Sequence, residues 1–176
     1  MIHSKSMLQL SPVKLRQSVL LFSVALGIAV VDQITKALIV ANIEEGDTVP
    51  DDGAFRLAHS TNEGSVFGLD IDSTFLLVMA PIVILVILWL YFYYLPPANR
   101  MLRTGLGLLL GGAIGNVVDR IRAGEVTDFL YVDLGFWPLD PWPTFNIADA
   151  SITIGIFILI YCLFRETQRL KSSADS

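Results

Sequence analysis

The stretch FNIADASITIGIFILIYCLF, residues 145–164, joins a polar start to a long apolar run. A helix needs about 20 residues to cross a membrane, and this stretch is long enough. Asn146 and Asp149 stand where it begins, three residues apart and therefore on one face of a helix. Ionisable groups at membrane depth are costly to bury and are usually functional. The stretch therefore predicts a membrane-spanning helix with a polar site at its mouth.

The composition indicates a membrane protein of one domain. The chain has 176 residues, of which 53% are hydrophobic and only 16% charged, whereas about a quarter is usual for a soluble domain. Its net charge of −5 argues against a nucleic-acid partner. The single cysteine, Cys162, excludes an internal disulfide and a multi-cysteine metal site. The two histidines, His3 and His59, lie away from the other polar motifs, so we expect no metal ion and no cofactor.

Four apolar segments predict an all-α membrane protein with four membrane-spanning helices. The predicted helices cover about residues 17–41, 74–95, 102–119 and 146–164, and the long loops cover about 42–73 and 120–145 of a single domain, 1–176. The second loop contains GEVTDFLYVD (124–133), whose β-branched and aromatic residues predict a small β-region. A basic start before an apolar stretch could also mark a cleavable signal peptide. The helical pattern continues past the cleavage region, so we favour a retained helix.

Loop charges predict the orientation of the chain. Basic residues flank the sides predicted to be cytoplasmic: Lys5, Lys14, Arg16, Arg100, Arg103, Arg165, Arg169 and Lys171. The first long loop instead carries eight acidic residues against Arg56 alone. Arg120 and Arg122 lie in the second long loop and weaken this asymmetry without reversing it. By the positive-inside rule, both termini are predicted to be cytoplasmic and the β-region extracytoplasmic.

This orientation gathers the unusual polar residues of the helices at the outer membrane boundary. They are Asp32 and Lys36 on the first helix, Asn116, Asp119 and Arg120 on the third, and Asn146 and Asp149 on the fourth. Each set also has a purely structural explanation. The first is an i, i+4 ion pair, the second could include a helix-end ion pair, and the third could be a helix cap followed by a carboxylate that the helix dipole favours. None of these explanations accounts for the coincidence of the three sets.

A pair of aspartates could hydrolyse a peptide bond at such a boundary. When two carboxylates lie close together, the pKa of one rises and the pKa of the other falls. The ionised partner can take a proton from water while the protonated partner polarises the peptide carbonyl. Nearby asparagines and an arginine could hold the substrate backbone or the developing oxyanion. Asp128, in the predicted β-region, has no evident structural partner in the sequence and is a candidate for such a role.

Five sequence blocks follow one another along the chain on its predicted outer side. They are DQITK (32–36), NEGSVFG (62–68), GGAIGNVVDR (111–120), GEVTDF (124–129) and FNIADASITIG (145–155). In this order they resemble the lipoprotein signal peptidases (signal peptidase II) of bacteria. The resemblance implies a four-helix aspartic endopeptidase of the inner membrane. Such an enzyme removes the signal peptide of prolipoproteins by cutting before the cysteine that bears diacylglycerol.

The resemblance also implies roles for individual residues. Its motifs place the catalytic aspartates at Asp128, in TDF, and at Asp149, in NIAD. The residues implied to line the site are Asn62, Asn116, Arg120 and Asn146, and those implied to support it are Asp32, Lys36 and Asp119. The implied partners are diacylglyceryl-prolipoproteins and membrane lipids, and we expect a globomycin-sensitive monomer. Ser65, Val66 and Thr127 depart from the usual family residues, which bears on substrate and inhibitor fit.

Other functions compete with this interpretation. A small proton-coupled transporter would use Asp32, Lys36 and Asp149 as a relay, but it would spread ionisable groups through the depth of the membrane. A membrane assembly subunit would use the glycine-rich helix faces for partner helices and would not need Asp128. Other intramembrane aspartic peptidases typically carry a Gly-x-Gly-Asp block, which this chain lacks.

Overall fold

Three long helices form the body of the structure. The computed structural model describes residues 12–62, 65–66, 69–70, 75, 79, 82–84, 86–87, 99–133, 135 and 142–174. The helices are α1 (Pro12–Asn42), α2 (Arg100–Ala123) and α3 (Ile147–Ala174). All three contain windows long and apolar enough to cross a membrane. They correspond to the first, third and fourth predicted spans.

The helices run beyond their predicted ends because of local signals at the termini. α1 begins at Pro12, and proline is well suited to a first helical turn. The side chain of Asn99 caps α2, since its Oδ1 accepts from the backbone N–H of Leu102 at 3.1 Å. α2 ends where Gly124 adopts φ 83° and its N–H donates to Arg120 O at 3.0 Å. α3 continues past Phe164 because the polar residues that follow include no proline or glycine.

The second predicted span, 74–95, lies largely outside the described residues. Its described positions, 75, 79, 82–84 and 86–87, are helical. Ile84 and Ile87 pack against the core between the other helices. The count of four membrane-spanning helices therefore stays a prediction.

α2 is the central helix of the described bundle. It packs along both α1 and α3, and the buried core between these helices comprises Leu21, Ala25, Leu106, Leu109 and Leu110. Close approach of α1 depends on a missing side chain, because a Cβ on Gly111 would lie 2.6 Å from Ala25 O. The regular glycine spacing in α2 predicts this kind of contact.

A small antiparallel sheet confirms the predicted β-region. Its strands are β1 (Thr48–Val49), β2 (Phe55–Asn62), β5 (Val126–Val132) and β6 (Trp142–Phe145), in the spatial order β1-β2-β5-β6. A separate hairpin pairs β3 (Ser65–Val66) with β4 (Leu69–Asp70). The sheet packs on the end of α1, where Phe129 is buried against Ile39 and Ile43.

Register within the sheet decides which side chains face the helices. Ser60 and Asn62 of β2 lie opposite Asp128 and Val126 of β5, after an irregularity that follows Leu57. Because side chains alternate along a strand, Ser60 and Asn62 share a face with Asp128. The sheet thereby brings a carboxylate and an amide, far apart in sequence, to the end of the helix bundle.

Candidate active site

Asn146 and Asp149 hold the start of α3 through two reciprocal hydrogen bonds. The Asp149 N–H donates to Asn146 Oδ1 at 2.9 Å, and the Asn146 N–H donates to Asp149 Oδ2 at 3.2 Å. This is a capping box, in which each side chain satisfies a backbone donor that the helix leaves free. The cap considered as a structural alternative is therefore present. The amide nitrogen of Asn146 is left to bond elsewhere.

Asp128 lies on β5 beneath this helix start and is only 3% exposed. The amide of Asn146 donates to its Oδ1 at 2.7 Å, and the amide of Asn62 donates to its Oδ2 at 3.1 Å. Asp128 thus has partners that its sequence neighbourhood does not reveal. Burial, and then the negative charge of Asp149, raise the pKa of Asp128 to about 6.

One amide network joins the two carboxylates, which we call the carboxylate pair (Asp128 and Asp149). Asn116 Nδ2 donates to Asp149 Oδ1 at 2.7 Å. Asn146 Nδ2 contacts both Asp128 Oδ1 and, at 3.2 Å, Asn116 Oδ1. Asn146 is fully buried and Asn116 nearly so. Each carboxylate therefore receives an amide donor from a residue that is itself held in place.

A second group, the ion cluster (Asp32, Lys36 and Asp119), lies behind this network. Lys36 Nζ is 2.8 Å from Asp32 Oδ2 and 2.6 Å from Asp119 Oδ2, the latter as an ion pair rather than an aligned hydrogen bond. Asp119 therefore forms its ion pair with Lys36, and its interaction with Arg120 is limited to electrostatic proximity. Asp32 Oδ1 also accepts the Ala148 N–H at 2.9 Å, so the cluster attaches α1 to the start of α3.

Arg120 is half-buried beside the carboxylate pair. Its Nη1 lies 3.4 Å from Asn116 O, and Asp149, Asp128 and Asp119 are close enough to interact with its charge. A guanidinium carries five donors in a rigid fork, so it can also bind oxygens of a ligand. All nine residues singled out from the sequence thus gather in this region through direct contacts or through electrostatic proximity: Asp32, Lys36, Asn62, Asn116, Asp119, Arg120, Asp128, Asn146 and Asp149.

Sequence reasoning missed Gln33 and Ser60. Gln33 Nε2 donates to Asp119 Oδ1 at 2.7 Å and to Gly115 O at 3.2 Å, so it secures the ion cluster. Its polarity inside an apolar helix was the available signal. Ser60 lies opposite Asp128, and only the strand register identifies it. His59 points to the other face of the sheet, where its Nδ1 lies 2.8 Å from Ile43 O.

The surroundings of Asp128 and Asp149 differ, so one carboxyl group can act as an acid and the other as a base. Asp149 sits in the first turn of α3, where the helix dipole and two donors stabilise its negative charge. Asp128 is buried, and its raised pKa favours the protonated carboxyl group. Among the described residues, no group of three His, Cys, Asp or Glu side chains is arranged to hold a metal ion. Fold and site together define a multi-pass membrane protein with a candidate acid–base pair at one end of its helices.

Comparisons with known proteins agree with this class. A sequence profile described as signal peptidase (SPase) II matches residues 24–165. A lipoprotein signal peptidase of Moorella thermoacetica is 39% identical over 140 residues, which cover 79% of this chain and 89% of that protein. Another from Desulforapulum autotrophicum is 39% identical over 141 residues, covering 76% and 85% of the two chains.

A solved structure of a bacterial membrane enzyme is also similar to this chain. It is described as a bacterial membrane enzyme structure obtained by the in meso method, and it matches 85% of this chain and 90% of its own chain with a TM-score of 0.76 at 28% identity. The chain belongs to the signal peptidase II family, which confirms the resemblance found in its five sequence blocks. Membership of this family implies a peptidase, which argues against the transporter and assembly-subunit alternatives.

Proposed function

We propose that this protein is an aspartic endopeptidase that cleaves the signal peptide from diacylglyceryl-modified prolipoproteins, before the lipidated cysteine. Relatives that share 32–39% identity over most of the chain carry the name lipoprotein signal peptidase, which supports the substrate class. The observation that carries the mechanism is the carboxylate pair, bridged by Asn146 and divided between β5 and α3. Asn62, Asn116, Arg120 and Asn146 position the groups and the substrate backbone.

The first step is attack of water on the peptide carbonyl that precedes the cysteine. Asp149, whose charge is stabilised at the start of α3, takes a proton from the water as its oxygen bonds to the carbonyl carbon. Asp128 gives its proton to the carbonyl oxygen, so no full oxyanion has to form. The tetrahedral product is a diol, Asp149 is now protonated and Asp128 is ionised.

Collapse of the diol completes the reaction and restores both groups. Asp149 gives its proton to the nitrogen of the cysteine as the carbon–nitrogen bond breaks. Asp128 recovers a proton from one hydroxyl of the diol, which becomes the new carboxyl group of the signal peptide. The lipidated cysteine leaves with a free amine. No covalent intermediate with the enzyme forms, and no group beyond water and the substrate is consumed.

The location of the site suits a substrate held by its lipid. We place the protein in the bacterial cytoplasmic (inner) membrane, with both termini cytoplasmic and the carboxylate pair toward the extracytoplasmic face. The loop charges support this orientation. A diacylglyceryl group in the outer leaflet then holds the scissile bond near the membrane surface. The protein acts as a monomer among membrane lipids, and globomycin inhibits it.

The experiment that tests this function is cleavage of a diacylglyceryl-modified prolipoprotein by the purified protein in detergent. We expect the wild type to cut and Asp128→Asn and Asp149→Asn to lose at least about 100-fold in rate while staying folded, because asparagine cannot transfer the proton. Asp133→Asn is the matched control, since Asp133 follows the same strand as Asp128 but faces Arg56. Rapid cleavage by Asp128→Asn would move the role to Asp119. An intact substrate with folded wild type would overturn the proposal.

A further inference from the structure

Lys36 contacts more than the two carboxylates that neutralise it. Its side chain is 4% exposed, and its Nζ lies 2.8 Å from Asp32 Oδ2 and 2.6 Å from Asp119 Oδ2. The same nitrogen donates to Asn116 Oδ1 at 3.0 Å. The third contact adds nothing to charge balance, because Asn116 is neutral. It does connect a buried cation to the residue that hydrogen bonds to Asp149.

The third contact fixes the orientation of the Asn116 amide. An ammonium group has donors but no acceptor, so only the oxygen of Asn116 can face Lys36. The amide nitrogen is thereby turned toward Asp149 Oδ1, at 2.7 Å. Asn146 also donates to Asn116 Oδ1, at 3.2 Å, and its own orientation is set by the backbone N–H of Asp149. Both amides are thus oriented so that their donors point at the carboxylate pair.

Lys36 also strengthens the bond that it orients. A cation on the amide oxygen polarises the amide, and polarised donors bond more strongly to an anion in a buried setting. Among the described residues, the charged groups around this contact are Asp32 on α1, Asp119 and Arg120 on α2, Asp128 on β5 and Asp149 on α3. The Lys36–Asn116 bond is the direct hydrogen-bonded link from the ion cluster to this network.

We propose that Lys36 is a positioning residue for hydrolysis, acting through Asn116 to hold a polarised donor on Asp149. This rests on the proposed function, in which Asp149 takes the proton of water. The role goes beyond support of the fold. Without the ammonium group, the oxygen of Asn116 keeps only the longer bond from Asn146, and the ionised carboxylate of Asp149 loses a polarised donor.

The test compares variants that preserve the net charge of the site. Lys36→Met combined with Asp119→Asn removes one positive and one negative charge, and Asn116→Ala changes no charge. For each we expect kcat to fall about tenfold, because a hydrogen bond to a charged group is lost. The acid side of the kcat profile should move up by up to about one pH unit, since the ionised pair is less stable. Arg56→Met, a cation removed elsewhere, should keep the wild-type midpoint.

A purely structural role gives a different pattern. When kcat is calculated per folded enzyme at each pH, a purely structural role leaves the midpoint of the profile in place. Combining all three substitutions should have no more effect than Asn116→Ala, because Lys36 acts through that residue. An unshifted midpoint in the folded double variant, or effects that multiply when combined, would overturn the proposal.

If the double variant does not fold, Asn116→Ala still tests the proposal. Asn116→Ala leaves the ion cluster intact, and an unchanged kcat profile in that variant alone would also reject the proposal. These results are separate from those for Asp128→Asn and Asp149→Asn, which test the hydrolytic function itself. Inactive aspartate variants with an unmoved Asn116→Ala profile would reject the role of Lys36 and leave the peptidase standing.

Discussion

Gly115 and Asp32 meet so closely that the glycine cannot carry a side chain. A Cβ on Gly115 would lie 2.6 Å from Asp32 Oδ2 and 3.3 Å from the Cβ of Ala148. Asp32 is fully buried there, with Lys36 on one oxygen and the Ala148 N–H on the other. Asp32, on α1, therefore occupies the space above Gly115 of α2 and also accepts the Ala148 N–H of α3.

Gly115→Ala should destabilise the protein and reduce cleavage. Crowding a packed, buried contact costs about 1–3 kcal/mol, and here it also displaces the carboxylate that holds the start of α3. Thermal unfolding in detergent and cleavage rate are the measurements. Gly27→Ala is the control, because nothing lies within 4 Å of its added Cβ and alanine favours the helix. Equal stability of the two variants would contradict the close contact at Gly115.

Substitutions of Asn146 should separate helix capping from catalysis. Asn146→Ser keeps an oxygen for the Asp149 N–H but loses the amide donor to Asp128, whereas Asn146→Ala loses both. We expect the serine variant to be more stable than the alanine variant by about 1 kcal/mol. Both should be nearly inactive. A serine variant with wild-type activity would show that the amide donor is dispensable.

The pH dependence of stability should reveal the buried proton of Asp128. Because its folded pKa is about 6 against 3.8 for an ordinary aspartate, the folded state holds the proton more tightly than the unfolded state. Stability from this group is thus present below pH 3.8 and is lost as the pH rises to 6. The loss amounts to about 3 kcal/mol.

The measurement is the free energy of unfolding of wild type and Asp128→Asn at pH 4 and at pH 8. The variant should gain about 2.4 kcal/mol relative to wild type between these pH values, since its side chain does not titrate and pH 4 already lies slightly above the unfolded pKa of 3.8. Any constant effect of altered hydrogen bonds cancels in this comparison. A difference that does not change with pH would show that Asp128 is not buried as a neutral acid.

The pH dependence of kcat/KM should report which aspartate is the acid. If Asp128 donates its proton, kcat/KM falls above about pH 6 as that group ionises in the free enzyme. Cleavage under conditions of low substrate, from pH 4.5 to 8.5, measures this directly. A rise through pH 6 would instead assign the base to Asp128 and reverse the two roles.

Cysteine labelling should test the orientation in the membrane. Asp47 lies in the exposed acidic loop and Gln168 lies on the exposed end of α3, so the two variants are Asp47→Cys and Gln168→Cys. In a Cys162→Ala background, an impermeant thiol reagent added to intact cells should label the first and not the second. The opposite pattern would place the carboxylate pair on the cytoplasmic side.

Much of the site could be predicted because its residues follow helix periodicity. Asp32 and Lys36, four residues apart, had to meet on one face, and the distance of 2.8 Å confirms this pair. The cap at Asn146 was equally visible in the spacing to Asp149. Such contacts depend only on the geometry of a single element.

Contacts between elements could not be obtained in this way. Asn62 reaches Asp128 only because β2 and β5 pair in one register, and a slip by one residue would turn either side chain to the other face. The link from Lys36 to Asn116 joins residues 80 positions apart on different helices. Gln33 was overlooked for the same reason, since its partner Asp119 lies on another helix.

The division of the carboxylate pair between β5 and α3 has a consequence for biosynthesis. A ribosome makes Asp128 before Asp149, and the residues that orient the pair come from α1, β2 and α2 as well. A growing chain therefore contains Asp128 without Asp149 until α3 is synthesised. The two carboxylates form a pair only once α3 has packed against the other helices. The two-aspartate hydrolysis proposed above therefore requires α3, and a chain that ends before Asp149 is expected to be inactive.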